Sequence, residues 1–157
     1  MILMDVNVLI YAHREDVKDH SAYREWLECV IVNGNTKYGF SELVLSGFIR
    51  IVTHPKISEI PSSLEQAVTF VNQIRSSGQA VCIAPGAKHW SFFLQCVENI
   101  NATGNDVPDA YYAALAMEWD CHWVTTDKGF QRTGVSKEMK NWGQCNINQF
   151  NYEIKVS

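Results

Sequence analysis

The chain has 157 residues, 46% hydrophobic and 11% aromatic, enough for a single domain with one continuous core and too apolar for a disordered segment. Its 17 acidic and 13 basic residues leave a formal net charge of -4, which excludes histone-like coating of nucleic acid, since such proteins are basic. The five cysteines (Cys29, Cys82, Cys96, Cys121, Cys145) are odd in number and lack CxxC or Cys/His spacing, so no zinc site or disulfide framework is expected, only reduced thiols in a cytosol.

The start, MILMDVNVLIYAHRED, has no basic n-region, and Asp5 and Asn7 break its apolar run. Neither a signal peptide nor a membrane span is predicted, and a cytoplasmic protein is expected. Ile2 to Met4 reads as a buried strand ending at Asp5, followed by a short helix over Val6 to Arg14. Ser21 to Val32 has a helical apolar face, stopped by Gly34. Tyr38 to Phe40 reads as a second strand, and a helix runs from Ser41 to Thr53, where Pro55 ends it. Ser63 and Gln66 form a capping-box signature ahead of the next helix. Ala80 to Ala84 is strand-like, and Lys88 to Asn101 is helical.

The last third is more sharply patterned. Asp106 is placed to cap a helix whose first turn holds Pro108, and alanines at 110, 113, 114 and 116 make it slim enough to pack closely on a sheet. His122 to Thr125 reads as a strand with Thr126 to Gly129 as its exit. Strands alternating with helices predict a parallel sheet covered on both faces, with ligands at the strands' carboxyl ends.

Four acids can reach that rim: Asp5, Glu42, Asp109 and Asp127. Two carboxylates about 4 Å apart repel by roughly 4 kcal/mol at an effective dielectric of 20, and a divalent cation reverses that sign. Hard oxygen ligands favour Mg²⁺ or Mn²⁺, which would clamp a phosphodiester and activate water. Each acid also has a local role open to it. Asp5 and Asp106 are placed as helix caps, Glu42 and Asp109 suit the helix dipole, and Asp127 suits a turn; Glu118 and Asp120 read as solvated.

MDVNVLIYA, SELVLSGFIRIVTHP, NDVPDAYYAALAMEW and HWVTTDKGF together resemble PIN-domain ribonucleases, in particular VapC toxins of VapBC toxin–antitoxin systems, over residues 1 to 142. The resemblance implies a single three-layer α/β/α domain spanning residues 1–157, with a mostly parallel sheet. It also implies Mg²⁺- or Mn²⁺-dependent endoribonuclease activity, a VapB-type antitoxin partner and a homodimer. By position, Asp5 and Asp109 match the metal-holding aspartates and Asp127 the fourth acid. Asn7 and Thr125 match polar residues that support them. Glu42 takes the second-acid role at the helix start; many relatives place that acid three residues before the equivalent of Arg50, where this chain has Gly47. Arg50, Lys128 and Arg132 are candidate RNA contacts, with Lys137 and Lys140 extending a basic cluster. Of the tryptophans, Trp142 is the one open to base stacking, although core or interface packing is the simpler account.

The scattered histidines (13, 20, 54, 89, 122) suggest no metal or catalytic motif, and GxxxxGK[ST], GxGxxG and GxSxG are all missing. A catalytically silent PIN-like module that binds protein is the main alternative, and it predicts lost acids. An aspartate-based phosphatase would need an acid where Asn7 stands.

Overall fold

The computed structural model describes residues 1–33 and 37–126, and the backbone of a last strand at 153–155. The elements run β1 (Ile2–Met4), α1 (Val6–His13), α2 (His20–Glu28), β2 (Tyr38–Phe40), α3 (Glu42–Val52), α4 (Leu64–Ser76), β3 (Ala80–Cys82), α5 (His89–Ile100), α6 (Asp106–Glu118), β4 (His122–Val124) and β5 (Glu153–Lys155). Each strand predicted from an apolar run is present. The sequence pass did not anticipate β5.

The five strands lie in the order β3-β2-β1-β4-β5, the first four parallel and β5 antiparallel to β4. Starting from β1, the chain moves outward through β2 to β3, then crosses back to place β4 on the other side of β1. Parallel crossovers are right-handed, so reversing direction sends the connecting helices to the opposite face. Accordingly α1 to α4 pack on one another as one layer, and α5 packs on α6 as the other. The result is an α/β/α arrangement whose central strands β1, β2 and β4 are buried throughout.

Local chemistry accounts for the helix boundaries. The Ser63 hydroxyl accepts from the Gln66 backbone N–H at 3.1 Å while the Gln66 side chain accepts from the Ser63 N–H at 2.9 Å, completing the predicted capping box. On α6, Ala110, Ala113, Ala114 and Ala116 are all buried, as a slim packing face requires.

Several local expectations are corrected. The helix predicted to reach Val32 changes at Cys29 to a π-helical turn, Cys29–Asn33. Asn105, not Asp106, occupies the cap position of α6, which places Asp106 first in the helix and Pro108 third. There the proline costs nothing, because the first helical N–H groups have no partner within the helix. Cys29 is disulfide-bonded, whereas Cys82, Cys96 and Cys121 are free. Uniformly reduced thiols were expected because sequence spacing does not reveal which sulfurs a fold brings within bonding reach.

Glu118 also departs from expectation. Its carboxylate accepts from the backbone N–H groups of Gly86 and Lys88 at 2.7 and 2.8 Å, and Trp119 Nε1 donates to the Ala84 carbonyl at 2.9 Å. The two side chains tie the β3–α5 loop to the end of α6. Slight burial would raise the Glu118 pKa, but the backbone donors outweigh it and hold the carboxyl below its ordinary value. Among the described residues, no helix is long and apolar enough to cross a membrane.

Candidate active site

The direction of chain travel reverses between β1 and β4, and in open α/β sheets the crevice at such a point is where ligands bind. The register pairs Met4 with Val124, so the next residues, Asp5 and Thr125, emerge side by side at the carboxyl ends. The Asp5 N–H continues the ladder to the Val124 carbonyl at 2.9 Å. Asp5 then turns the chain into α1 as its N-cap, with Oδ1 accepting from the Val6 N–H at 2.6 Å. Its other oxygen, Oδ2, accepts a short hydrogen bond from the Thr125 hydroxyl. Both residues are buried, Asp5 at 3% exposure and Thr125 at 0%. The capping role and the site role of Asp5 are therefore compatible, because a carboxylate has lone pairs for both.

Asp109 stands half-buried in the first turn of α6. One helical turn later on the same face stands Tyr112, whose ring stacks on Trp123 of β4, with centroids 5.4 Å apart and planes 14° from parallel. Burial raises the Tyr112 pKa, and the charges of Asp5 and Asp109, followed by Tyr111, raise it further; Arg50 pulls the other way. One ring thus feels the charges of Asp5, Asp109 and Arg50 together. Two carboxylates acting on one half-buried group favour positive charge nearby, and hard-oxygen donors of this kind suit a divalent cation. Asn7 lies half-buried in the first turn of α1, two residues beyond Asp5.

Glu42 has a partner on another helix. It is the first residue of α3, exposed, and its carboxylate pairs with Arg75 of α4 at 2.8 Å. The Arg75 guanidinium in turn lies over the Phe40 ring, 5.3 Å from its centroid. Positions 42 and 47 differ by roughly 140° around the helix, so they face different surroundings. A Cβ built at Gly47 would meet only Val6, at 3.9 Å, which places position 47 beside the turn that carries Asp5. Among the described residues, no group of three or more His, Cys, Asp or Glu side chains is gathered closely enough to hold a metal. Asp127, Lys128, Arg132, Lys137, Lys140 and Trp142 lie outside the described residues.

The sequence matches the family model for the PIN domain over residues 2–136. Ribonuclease VapC43 of Mycobacterium tuberculosis is 39% identical over 132 residues, covering 84% of this chain and 89% of the relative. The chain belongs to the VapC ribonuclease family of PIN domains. Ribonuclease VapC25 of the same organism is 33% identical over 132 residues, covering 84% and 92%. Among solved structures, VapBC2 of Rickettsia felis bound to a promoter DNA fragment aligns with a TM-score of 0.61 at 22% identity, covering 85% of this chain and 93% of that one. VapC20 of Mycobacterium tuberculosis, described as a sarcin–ricin loop cleaving toxin, gives 0.63 at 13% identity, covering 85% and 95%. At those identities the structural likeness speaks for the fold alone.

The sequence reading passed over Tyr112, the half-buried ring that feels the charges of Asp5 and Asp109. Its signal was available: Asp109 and Tyr112 are three apart on a helix, which puts them on one face. The aromatic neighbours Tyr111 and Phe93 were missed for a different reason, since Phe93 comes from another helix.

Proposed function

We propose that this VapC-family protein is a metal-dependent endoribonuclease that acts in the cytoplasm as the toxin of a type II toxin–antitoxin pair. The observation that carries the reading is the buried Asp5 carboxylate, oriented from two sides at the crevice between β1 and β4, with the Asp109 charge acting on the same tyrosine ring as that of Asp5. Homology to named ribonucleases supports RNA as the substrate.

Asp5 and Asp109 would hold Mg²⁺ or Mn²⁺, with Asp127 as a further acid. When bound, the ion would neutralise the carboxylates, draw a phosphodiester oxygen to the site and lower the pKa of an attacking water. The chain's own residues supply the preorganisation. The Val6 N–H and the Thr125 hydroxyl hold the Asp5 carboxylate in one orientation before substrate arrives. Arg50 offers a guanidinium for a backbone phosphate. Lys128 and Arg132 would extend that contact. The Glu42–Arg75 pair argues for a structural role for Glu42, joining α3 to α4.

A VapB-type antitoxin and a homodimer complete the proposal. The neighbouring structures support the antitoxin, since they include VapBC2 and FitAcB and FitAB of the corresponding complexes. The deciding experiment is RNA cleavage by the purified protein with Mg²⁺ or Mn²⁺. Activity should stop with EDTA and be lost in Asp5→Asn and in Asp109→Asn, both folded by circular dichroism. Full activity in either variant would overturn the assignment.

A further inference from the structure

Beside Tyr112 runs a groove to which the proposed hydrolysis assigns only its Arg50. It has a volume of about 590 Å³ and lies between α3 and α6, with α5 alongside. Arg50, Phe93, Tyr111 and Tyr112 form its walls, and Gly47 and Pro108 leave space between them. The three aromatic residues are half-buried, so each ring keeps surface open to a ligand.

The wall is braced before anything binds. The Tyr111 ring meets Phe93 edge-on at 6.0 Å and Tyr112 edge-on at 6.2 Å, and tilts against His89 at 4.3 Å. His89 is buried, and its Nε2 lies 3.1 Å from the Tyr111 carbonyl oxygen. A stack of this kind loses little freedom when a flat ligand is added, which favours binding. Its chemistry is also selective. Aromatic surface accepts any base, because every base has a π-face, while a single guanidinium suits the phosphate joining that base to its neighbour. Because Tyr112 belongs to this wall and also feels the charges of Asp5 and Asp109, a base in the groove would lie next to the proposed reaction site.

We propose that the groove is a stacking subsite for an unpaired nucleobase of single-stranded RNA, adjacent to the scissile phosphate, with Tyr111 and Phe93 supplying the aromatic surface and Arg50 the phosphate contact. This rests on the ribonuclease reading and adds to it a binding subsite for one base. Double-stranded RNA keeps its bases stacked on one another and cannot offer one to the groove.

The test uses a fluorescein-labelled 12-nucleotide single-stranded RNA of mixed sequence. Affinity is read by anisotropy in EDTA, and cleavage is read separately in Mn²⁺. Tyr111→Leu and Phe93→Leu should each weaken binding about tenfold, in line with the loss of one base–aromatic stack. Tyr111→Phe should stay within about twofold of the parent, and an abasic version of the RNA should erase the difference between the parent and the Leu variants. In cleavage, KM should rise while kcat is largely retained. Unchanged affinity in both folded Leu variants overturns the proposal. So does a Leu variant that changes the sedimentation of the protein without changing RNA affinity, which would assign the groove to a second copy of this chain. A parent protein that binds with this Tyr111 dependence but fails to cleave in Mg²⁺ or Mn²⁺ would sink the ribonuclease reading and leave the subsite standing.

Discussion

The Thr125 hydroxyl donates to Asp5 Oδ2 across the boundary between β4 and β1, joining residues 120 positions apart in the chain. Both are buried, and Asp5 receives the Val6 N–H on its other oxygen, so the carboxylate's orientation is set by the sheet and by the helix it caps. Thr125→Val keeps the shape and removes the hydroxyl. Cleavage should fall about tenfold and the apparent Mn²⁺ affinity should drop, the scale found when a partner of a metal ligand is removed. Thr125→Ser should restore most of both. Activity titrations against Mn²⁺ check the pair of variants.

The exposed Glu42–Arg75 ion pair predicts a mild outcome for Glu42→Gln. With side chains 66% and 42% exposed, the pair contributes less than about 1 kcal/mol. Urea denaturation should show a small loss of stability, and cleavage should stay within about twofold of the parent. Abolished cleavage would restore Glu42 to the catalytic set.

Position 47 makes the complementary prediction. A Cβ there meets only Val6 at 3.9 Å, so a side chain can be built without displacing backbone. Gly47→Glu should be tolerated, and helix propensity should stabilise α3 by roughly 0.5–1 kcal/mol. The added carboxylate should also tighten Mn²⁺ binding, measured by calorimetry on the metal-free protein. Weaker binding would mean that position 47 faces away from the ion.

His13 introduces a pH dependence remote from the chemistry. Its ring packs against Phe48 and Phe70 at 5.2 and 4.9 Å and is hydrogen-bonded to the Ser62 hydroxyl at 2.9 Å. Burial, followed by the charges of Arg14, Arg24 and His20, lowers its pKa from 6.5. The unfolded chain therefore takes up this proton at higher pH than the folded chain does. His13 costs nothing above pH 6.5, destabilises progressively as pH falls from there to the lowered folded value, and adds no further loss below it. His13→Phe should flatten that part of the stability–pH curve, measured by urea melts between pH 7.5 and pH 5. An unchanged slope would place the acid sensitivity elsewhere.

Where signals were local, the sequence reading located elements well. The capping box at Ser63 and Gln66 is complete within four residues, and the alanines of α6 share a face through helical periodicity alone. Three features escaped because they depend on residues distant in the chain. Glu118 looks solvated until the β3–α5 loop brings the Gly86 and Lys88 N–H groups to it. Glu42 shows no partner in the sequence until the fold brings Arg75, 33 residues later, to its carboxylate. The groove needs Phe93 of α5 beside Tyr111 of α6, and no pattern within either helix announces that pairing.

The amino-acid order by itself determined the alternation of strands and helices, the single core and the arrival of acids at strand ends. These follow from hydrophobic periodicity and backbone chemistry, which act over a few residues. Family motifs spaced along the chain carried the ribonuclease expectation. Tertiary structure decided which polar groups face one another. The reversal of strand order put Asp5 beside Thr125, the charges of Asp5 and Asp109 act on the same Tyr112 ring of α6, and α4 brought Arg75 to Glu42. Electrostatic and hydrogen-bonded partnerships act over a few ångströms of space, and only the folded chain determines which residues come that close.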